Sequence, residues 1–243
     1  GASATVIESY AGAAGGTYWT NTVTDVTVER DAVLRHIKFQ NEGGDGFHLA
    51  ATRAAIAAGA TYDNFTAQLG ARLARNEITA KFGGEGATCR LKGAFLGRGR
   101  QHLDNTTLVD HAEPGCFSDE FYKSVLDGDA HGVFQGKIIV RPDAQGTDAH
   151  QLSNSLLLSE SAQIDTKPEL EIYADDVKCS HGAATGALDE DALFYMRARG
   201  IDGCDAERML IEGFIGEIVA TIEQPELTAH MERAVAAWLA QGK

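Results

Sequence analysis

The segment DDVKCSHGAATG, Asp175 to Gly186, gathers two carboxylates, a thiol and an imidazole within seven residues. Cys179 and His181 stand two apart, so in an extended strand both side chains point to one face. A thiolate beside an imidazole suits soft or borderline metals. Two donors are too few for a closed site, so further ligands would have to come from elsewhere, another chain included. On spacing alone the plainer reading is favoured: a buried cysteine and a hydrogen-bonded histidine at a corner. The pair Asp175 and Asp176 reads as a solvated or capping feature rather than as the acid pair of a glycosidase.

A second cluster, QHLDNTTLVDHAEPGCFSDE, carries His102, Asp104, His111 and Cys116. These types could build a metal site or a hydrolytic dyad. A polar ladder on a repeat face, with Asn105 and Thr106 bonding at a corner, is favoured. No GxSxG, P-loop or HExxH occurs, and GGEGATC lacks the Lys-Ser/Thr of a phosphate loop. The four cysteines, Cys89, Cys116, Cys179 and Cys204, form no CxxC pair, which argues against a zinc knuckle. Their wide separation argues against a disulfide framework and for a reducing, cytoplasmic setting.

The elements that must position these residues repeat. The segments SATVIESY, DAVLRHIKF, GATYDNFTA and GATCRLKGA align on Ala4, Ala32, Ala60 and Ala87, and the pattern returns at Ala130 and Ala162. Between them lie TYWTNTVTDVTV, FHLAATRAAIA, LARNEITAKF and HLDNTTLVDH. VTDVTVE and LRHIKF show the period-2 alternation of half-buried strands. Short strands at a period of about 27 residues, with no helical crossover, predict a solenoid whose stacked coils share one core. A parallel β-helix with inward Val, Ile, Leu and Phe is the first choice, and a β-sandwich the second.

From Asp189 the period becomes helical. Asp189 is a candidate N-cap and Gly200 a stop for LDEDALFYMRARG. A second helix is expected from Asp205, with Leu210, Phe214 and Ile218 on one apolar stripe and Ile211, Ile215 and Ile222 close by. A third starts at Pro225, with Leu227, Met231, Val235, Trp238 and Leu239 inward. The expected organisation is a β-helix over 1–188 and a small helical domain over 189–243.

The 243 residues carry 21 Lys and Arg against 35 Asp and Glu, a net charge of −14. Duplex nucleic acid and anionic membranes are poor partners for such a surface. The basic residues of RLKGAFLGRGR are spread among glycines and read as solvated. No run of about 18 apolar residues is present, and no signal peptide is expected. The chain opens in strand-like sequence, as a piece of a longer protein would.

LEIYADDVKCSHGAATGALDEDALFYMRARGI, Leu170 to Ile201, resembles the C-terminal signature of the SufB/SufD family of the SUF iron–sulfur cluster assembly system. QHLDNTTLVDHAEPGCFSDEFYKSVL and GVFQGKIIVRPDAQGTDAHQLSNSLLLSESAQIDTKPELEIYADDVKCSHG are similar to it as well, so the likeness runs through nearly the whole chain. SufB carries an acid-rich segment where this chain has KCSHG, which places the resemblance on the SufD side. The resemblance implies a right-handed parallel β-helix with C-terminal helices, and a non-catalytic scaffold subunit rather than an enzyme. It implies pairing with SufB through the β-helix and docking of the SufC ABC-type ATPase on the helices. Members usually begin with a helical region that is not in this sequence. His181 matches a family histidine held near the SufB interface and implicated in cluster formation; Cys179 matches its neighbour. No tightly bound cofactor is implied, only a transient iron–sulfur cluster shared with SufB. A homodimer is expected in isolation. The competing reading, a secreted pectate-lyase-like β-helix enzyme, is disfavoured by the helical tail.

Overall fold

A computed structural model describes residues 1–12 and 15–241. Among these residues thirteen strands precede three helices. The odd strands are β1 (Ser3–Ala11), β3 (Val33–Asn41), β5 (Thr61–Gln68), β7 (Thr88–Gly97), β9 (Phe117–Leu126), β11 (Asp148–Leu157) and β13 (Lys178–Gly186). The even strands are β2 (Tyr18–Val28), β4 (Gly46–Ile56), β6 (Leu73–Phe82), β8 (His102–His111), β10 (His131–Val140) and β12 (Gln163–Ile172). Each set forms its own sheet in chain order, and every pairing is parallel. The chain crosses from one sheet to the other at each half-coil. The molecule is therefore a flattened tube of about six turns and not a sandwich of antiparallel sheets.

In the odd sheet Ser3 lies beside Val33, then Thr61, Thr88, Phe117, Asp148 and Lys178. Successive coils thus span 30, 28, 27, 29, 31 and 30 residues. The alanine repeat has a conformational cause. Asp31, Gly59, Gly86, Gly115 and Gly146 occupy one corner position, and all have positive φ. That left-handed residue turns the chain, and glycine adopts it at no steric cost. The residue after it must be small because it points into the corner: Ala60, Ala87, Cys116 and Thr147 are buried there. The first coil is in phase at Ala2, whose carbonyl accepts from Val33 N, and not at Ala4. Ala130 and Ala162 mark the opposite corner, before β10 and β12, so the later markers belong to the even sheet.

The helices are α1 (Glu190–Ala198), α2 (Gly203–Val219) and α3 (Pro225–Ala240). The Asp189 carboxylate accepts from the Asp191 and Ala192 amides, and Gly200 turns with φ 87. The second helix begins two residues earlier than expected, because Asp202 caps it through the Cys204 amide. Its buried stripe is Ile211, Ile215, Ile218 and Val219, a rotation away from Leu210 and Phe214. Pro225 opens α3, and Met231, Val235 and Trp238 are buried.

Helices α2 and α3 lie on the outer face of the odd sheet. Ile37, Phe39, Phe65, Ala67, Leu96, Val125 and Leu156 point outward into them and form one apolar core with Ile215, Ile218, Met231 and Trp238. Period 2 therefore holds in LRHIKF, but Ile37 and Phe39 face out under the helices. His36, Lys38 and Gln40 face the interior of the tube and are buried. An interior lined throughout by aliphatic side chains does not occur. Tyr62, Ile78, Phe82, Leu91, Leu103, Phe134 and Ile138 fill part of it, and polar side chains fill the rest.

Candidate functional site

Cys179 and His181 both lie in β13, the last strand of the odd sheet. They stand within a strand and not at a corner. Among the described residues only β11 pairs with β13, with Cys179 beside Ala149 and His181 beside Gln151. Ala149 and Gln151 are buried inward residues, so the thiol and imidazole occupy the interior face of the final coil. Among the described residues no further coil covers them. Cys179 is half-buried against the interior apolar cluster, and His181 is exposed. Burial pushes the Cys179 thiol up, and the Asp148 carboxylate adds to the shift. The thiol is therefore protonated at neutral pH, and a metal must displace that proton to bind it. Two donors on one edge strand supply half the ligands a cluster normally takes.

Asp175 and Asp176 are exposed in the turn before β13. The Asp176 amide and carbonyl bond to the preceding coil, through Gln145 Oε1 at 2.9 Å and the Gly146 amide at 2.7 Å. They are a corner, in keeping with their reading as a solvated feature. Among the described residues, no group of three or more His, Cys, Asp and Glu is placed to hold a metal ion.

His102, Asp104, His111 and Cys116 are not brought together. His102 is on the outer face of the even sheet, edge-on to His131 with ring centroids 4.8 Å apart. Asp104 pairs with Arg75 at 3.2 Å. His111 is buried at the other end of β8, its Nε2 2.8 Å from Ser118 Oγ. Burial lowers its pKa to about 4. The Cys116 thiol donates to the carbonyl of Gly84 at 3.4 Å. Asn105 and Thr106 stand mid-strand: Asn105 points inward and donates to Gln68 Oε1 at 2.6 Å, while Thr106 bonds Asp104 outside. Arg98 is not solvated; it pairs with Asp127, donates to the Trp238 carbonyl at 2.7 Å and stacks 4.1 Å from that indole.

The sequence reading passed over the buried polar groups inside the tube. In the first coils Glu42 accepts from Thr20 at 2.5 Å and Gln40 at 3.1 Å, and lies 2.7 Å from His48 Nδ1. Glu8 accepts from Tyr10 and Thr24, and Lys38 donates to Asn76. Burial lowers Lys38 to about 8 against the raising influence of Glu8 and Glu42. Further along, Glu120 Oε2 accepts from Thr107 and from Gln151, both at 2.8 Å. The signal was present in β3 as inverted alternation: His36, Lys38 and Gln40 with Ile37 and Phe39 between them.

The sequence matches known proteins over most of its length. The family model for the SUF system FeS cluster assembly SufBD core domain matches residues 1–214. The chain belongs to the SufBD family. An iron–sulfur cluster assembly SufBD family protein of Synechocystis is 36% identical over 90% of this SufBD chain and 48% of its own length. The iron–sulfur cluster assembly protein SufD of Escherichia coli is 34% identical over 93% of the chain and 54% of its own length. A chloroplastic Arabidopsis thaliana protein, ABCI7, is 36% identical over 87% of the chain and 45% of its own length. This SufBD chain spans about half the length of these relatives. Among its described residues, no helix is long and apolar enough to cross a membrane.

Proposed function

We propose that this chain is a non-catalytic scaffold subunit of a cytoplasmic iron–sulfur cluster assembly complex. It pairs with a SufB-type sister across the open last coil, and a nascent cluster is held where the two chains meet. The observation that carries this reading is the position of Cys179 and His181: one interior face, uncovered, on the last strand of the odd sheet, whose edge is free at that end as is that of β12 in the even sheet. A free strand edge is a template for continuing the sheet with another chain. Leu152, Ile172 and Tyr173 are exposed close by and supply apolar contact. Two ligands from this side leave the cargo loosely held until a partner completes the shell, which suits a scaffold that gives its cluster away. The same edge, without a sister chain, pairs with a second copy.

The helices serve as the docking surface for an ATPase of the SufC type. Helix α1 buries none of its side chains, and Phe194 and Tyr195 are 74% and 57% exposed. Helix α2 is tied to the tube beneath it: buried Lys123 on β9 pairs with Glu217 and donates to the Phe214 carbonyl at 2.8 Å. A pull on the helices is thereby carried into the odd sheet that ends in β13.

The test is His181→Ala in the reconstituted complex with SufB-type and SufC-type partners. The variant is expected to assemble the complex but to lose most cluster formation, followed anaerobically by absorbance. Undiminished cluster formation in an intact complex would remove His181 from the mechanism.

A further inference from the structure

The second polar group inside the tube has no part in the scaffold reading. Glu120, Tyr122, Gln151 and Ser153 are all buried, on adjacent strands β9 and β11. Each keeps one side-chain polar atom with no protein partner: Glu120 Oε1, Tyr122 OH, Gln151 Oε1 and Ser153 Oγ. Deeper in the tube the same is true of Gln68 Nε2, Asn76 Nδ2, Asn105 Oδ1 and His48 Nε2. Native proteins leave few such groups, since each costs the desolvation of a lost hydrogen bond. Here they lie on inward faces of neighbouring strands. Asn76 stands beside Asn105 in register, Asn105 bonds Gln68, and Thr107 on the same face of β8 as Asn105 bonds Glu120.

The mixture identifies the ligand class. An anion would need donors alone and a cation acceptors alone. This set holds amide donors, hydroxyls and carbonyl or carboxylate acceptors together, and exchanging the ends of any amide leaves one end of that amide unpartnered. Water, with two donors and two acceptors, fits such a set, and buried water ordinarily bridges polar groups of this kind.

We propose that the tube encloses a chain of bound water, and that Glu120 is a proton-holding carboxyl that exchanges its proton through this water with the open end of the tube beside His181. Glu120, Gln151 and His181 stand in one inward column on β9, β11 and β13. Two strand spacings, roughly 10 Å, separate Glu120 from the last coil. The proton leaves the Glu120 carboxyl for a neighbouring water, which passes one of its own toward solvent, and the carboxylate left behind keeps the Thr107 and Gln151 hydrogen bonds. Burial is the main cause that pushes Glu120 up to about 7. The groups that face it are the Cys89 thiol from β7, Tyr122 from β9, Thr107 from β8 and Gln151 from β11. Gly136 on β10 brings no side chain, and Asp119 on its own strand is anionic. No cation among these holds it ionised. The assignment stands whether or not His181 holds a cluster.

Two measurements on the chain test it. Carbon-13 resonances of labelled glutamate carboxyls are followed with pH, and Glu120 is assigned by its absence in Glu120→Gln. One carboxyl is expected to titrate with a midpoint near 7, well apart from the exposed glutamates, in fast exchange with solvent. A Glu120 that titrates with the exposed glutamates, or that stays locked in one state up to pH 9, overturns the proposal. A high-resolution crystal structure is expected to show water on Glu120 Oε1 and between Gln68, Asn76 and Asn105; a dry interior overturns it. The crystal readout uses the unsubstituted fold alone, so a Glu120→Gln chain that failed to fold would leave that test intact. Gln151→Leu is expected to slow exchange of the Glu120 proton at least tenfold, and unchanged exchange would overturn the route toward His181.

Discussion

The odd sheet has two faces, and they bury side chains in opposite ways. Its outer face meets α2 and α3 in a dry contact of Ile, Phe, Leu, Val, Met and Trp, with Lys123 and Arg98 at its margins. Its inner face carries His36, Lys38, Gln40, Asn64, Thr66, Gln68, Glu120 and Gln151, all buried. The difference teaches what each face is for. Two helices brought onto a sheet by apolar area alone need no directional partner, since that force follows the surface removed from water. A tube closed by parallel ladders already has its geometry fixed by backbone hydrogen bonds. Its interior can therefore hold polar side chains that bond from coil to coil, as Asn105 does with Gln68 and Ser124 with Ser155.

The contrast can be broken hardest on the dry side. Trp238→Ala removes the largest side chain of the helix–sheet core, together with the indole under Arg98. It is expected to cost about 3–5 kcal/mol, as large-to-small core changes do, measured by chemical denaturation. A cost below about 1 kcal/mol would mean that the helices are appended to the tube rather than part of its core.

On the wet side the expected effect is set by pH. Glu120 holds its proton up to about 7 when folded, whereas an unfolded glutamate loses it near 4.3. The folded state thus binds more protons within that window, and the stability Glu120 contributes falls as pH rises through it. Glu120→Gln is expected to abolish this fall and to gain on the order of 3 kcal/mol relative to the parent above pH 7. Burial lowers His48 and His111 to about 4, the opposite sign. Their contribution is present above about 6.5 and is lost as pH falls, so the Glu120 effect must be read as the difference between the two chains. Equal pH profiles for parent and variant would mean that the interior does not hold a proton.

The smallest effect belongs to neither core. Asp189→Ala removes the cap of α1, a helix with no fully buried side chain, and is expected to cost about 1 kcal/mol. Hydrogen exchange should place the loss in the Asp191 and Ala192 amides, with the tube unchanged. A global change would show that α1 is coupled to the core beneath it.

Much of the architecture was legible before any coordinates. The spacing of the alanine corners, the absence of crossover helices and the Asp189, Gly200 and Pro225 signals gave the order of elements. Candidate residues were also legible by type, but their grouping was not. His102 and His111 lie nine residues apart on one strand, and odd offset sends one outward and the other inward. Nothing in their local sequence says which face is the interior.

Local sequence decided where this chain turns and which residues alternate, because a left-handed corner and a period of two are set by neighbours along the chain. Only the tertiary structure decided that Ile37 and Phe39 go beneath helices while Lys38 and Glu120 go inside. That choice depends on what lies against each face of the sheet, and the helices that cover Ile37 and Phe39 arrive more than a hundred and fifty residues later in the chain. It likewise decided that Cys179 and His181 end on an uncovered coil, since a strand becomes an edge only when no further strand is stacked on it.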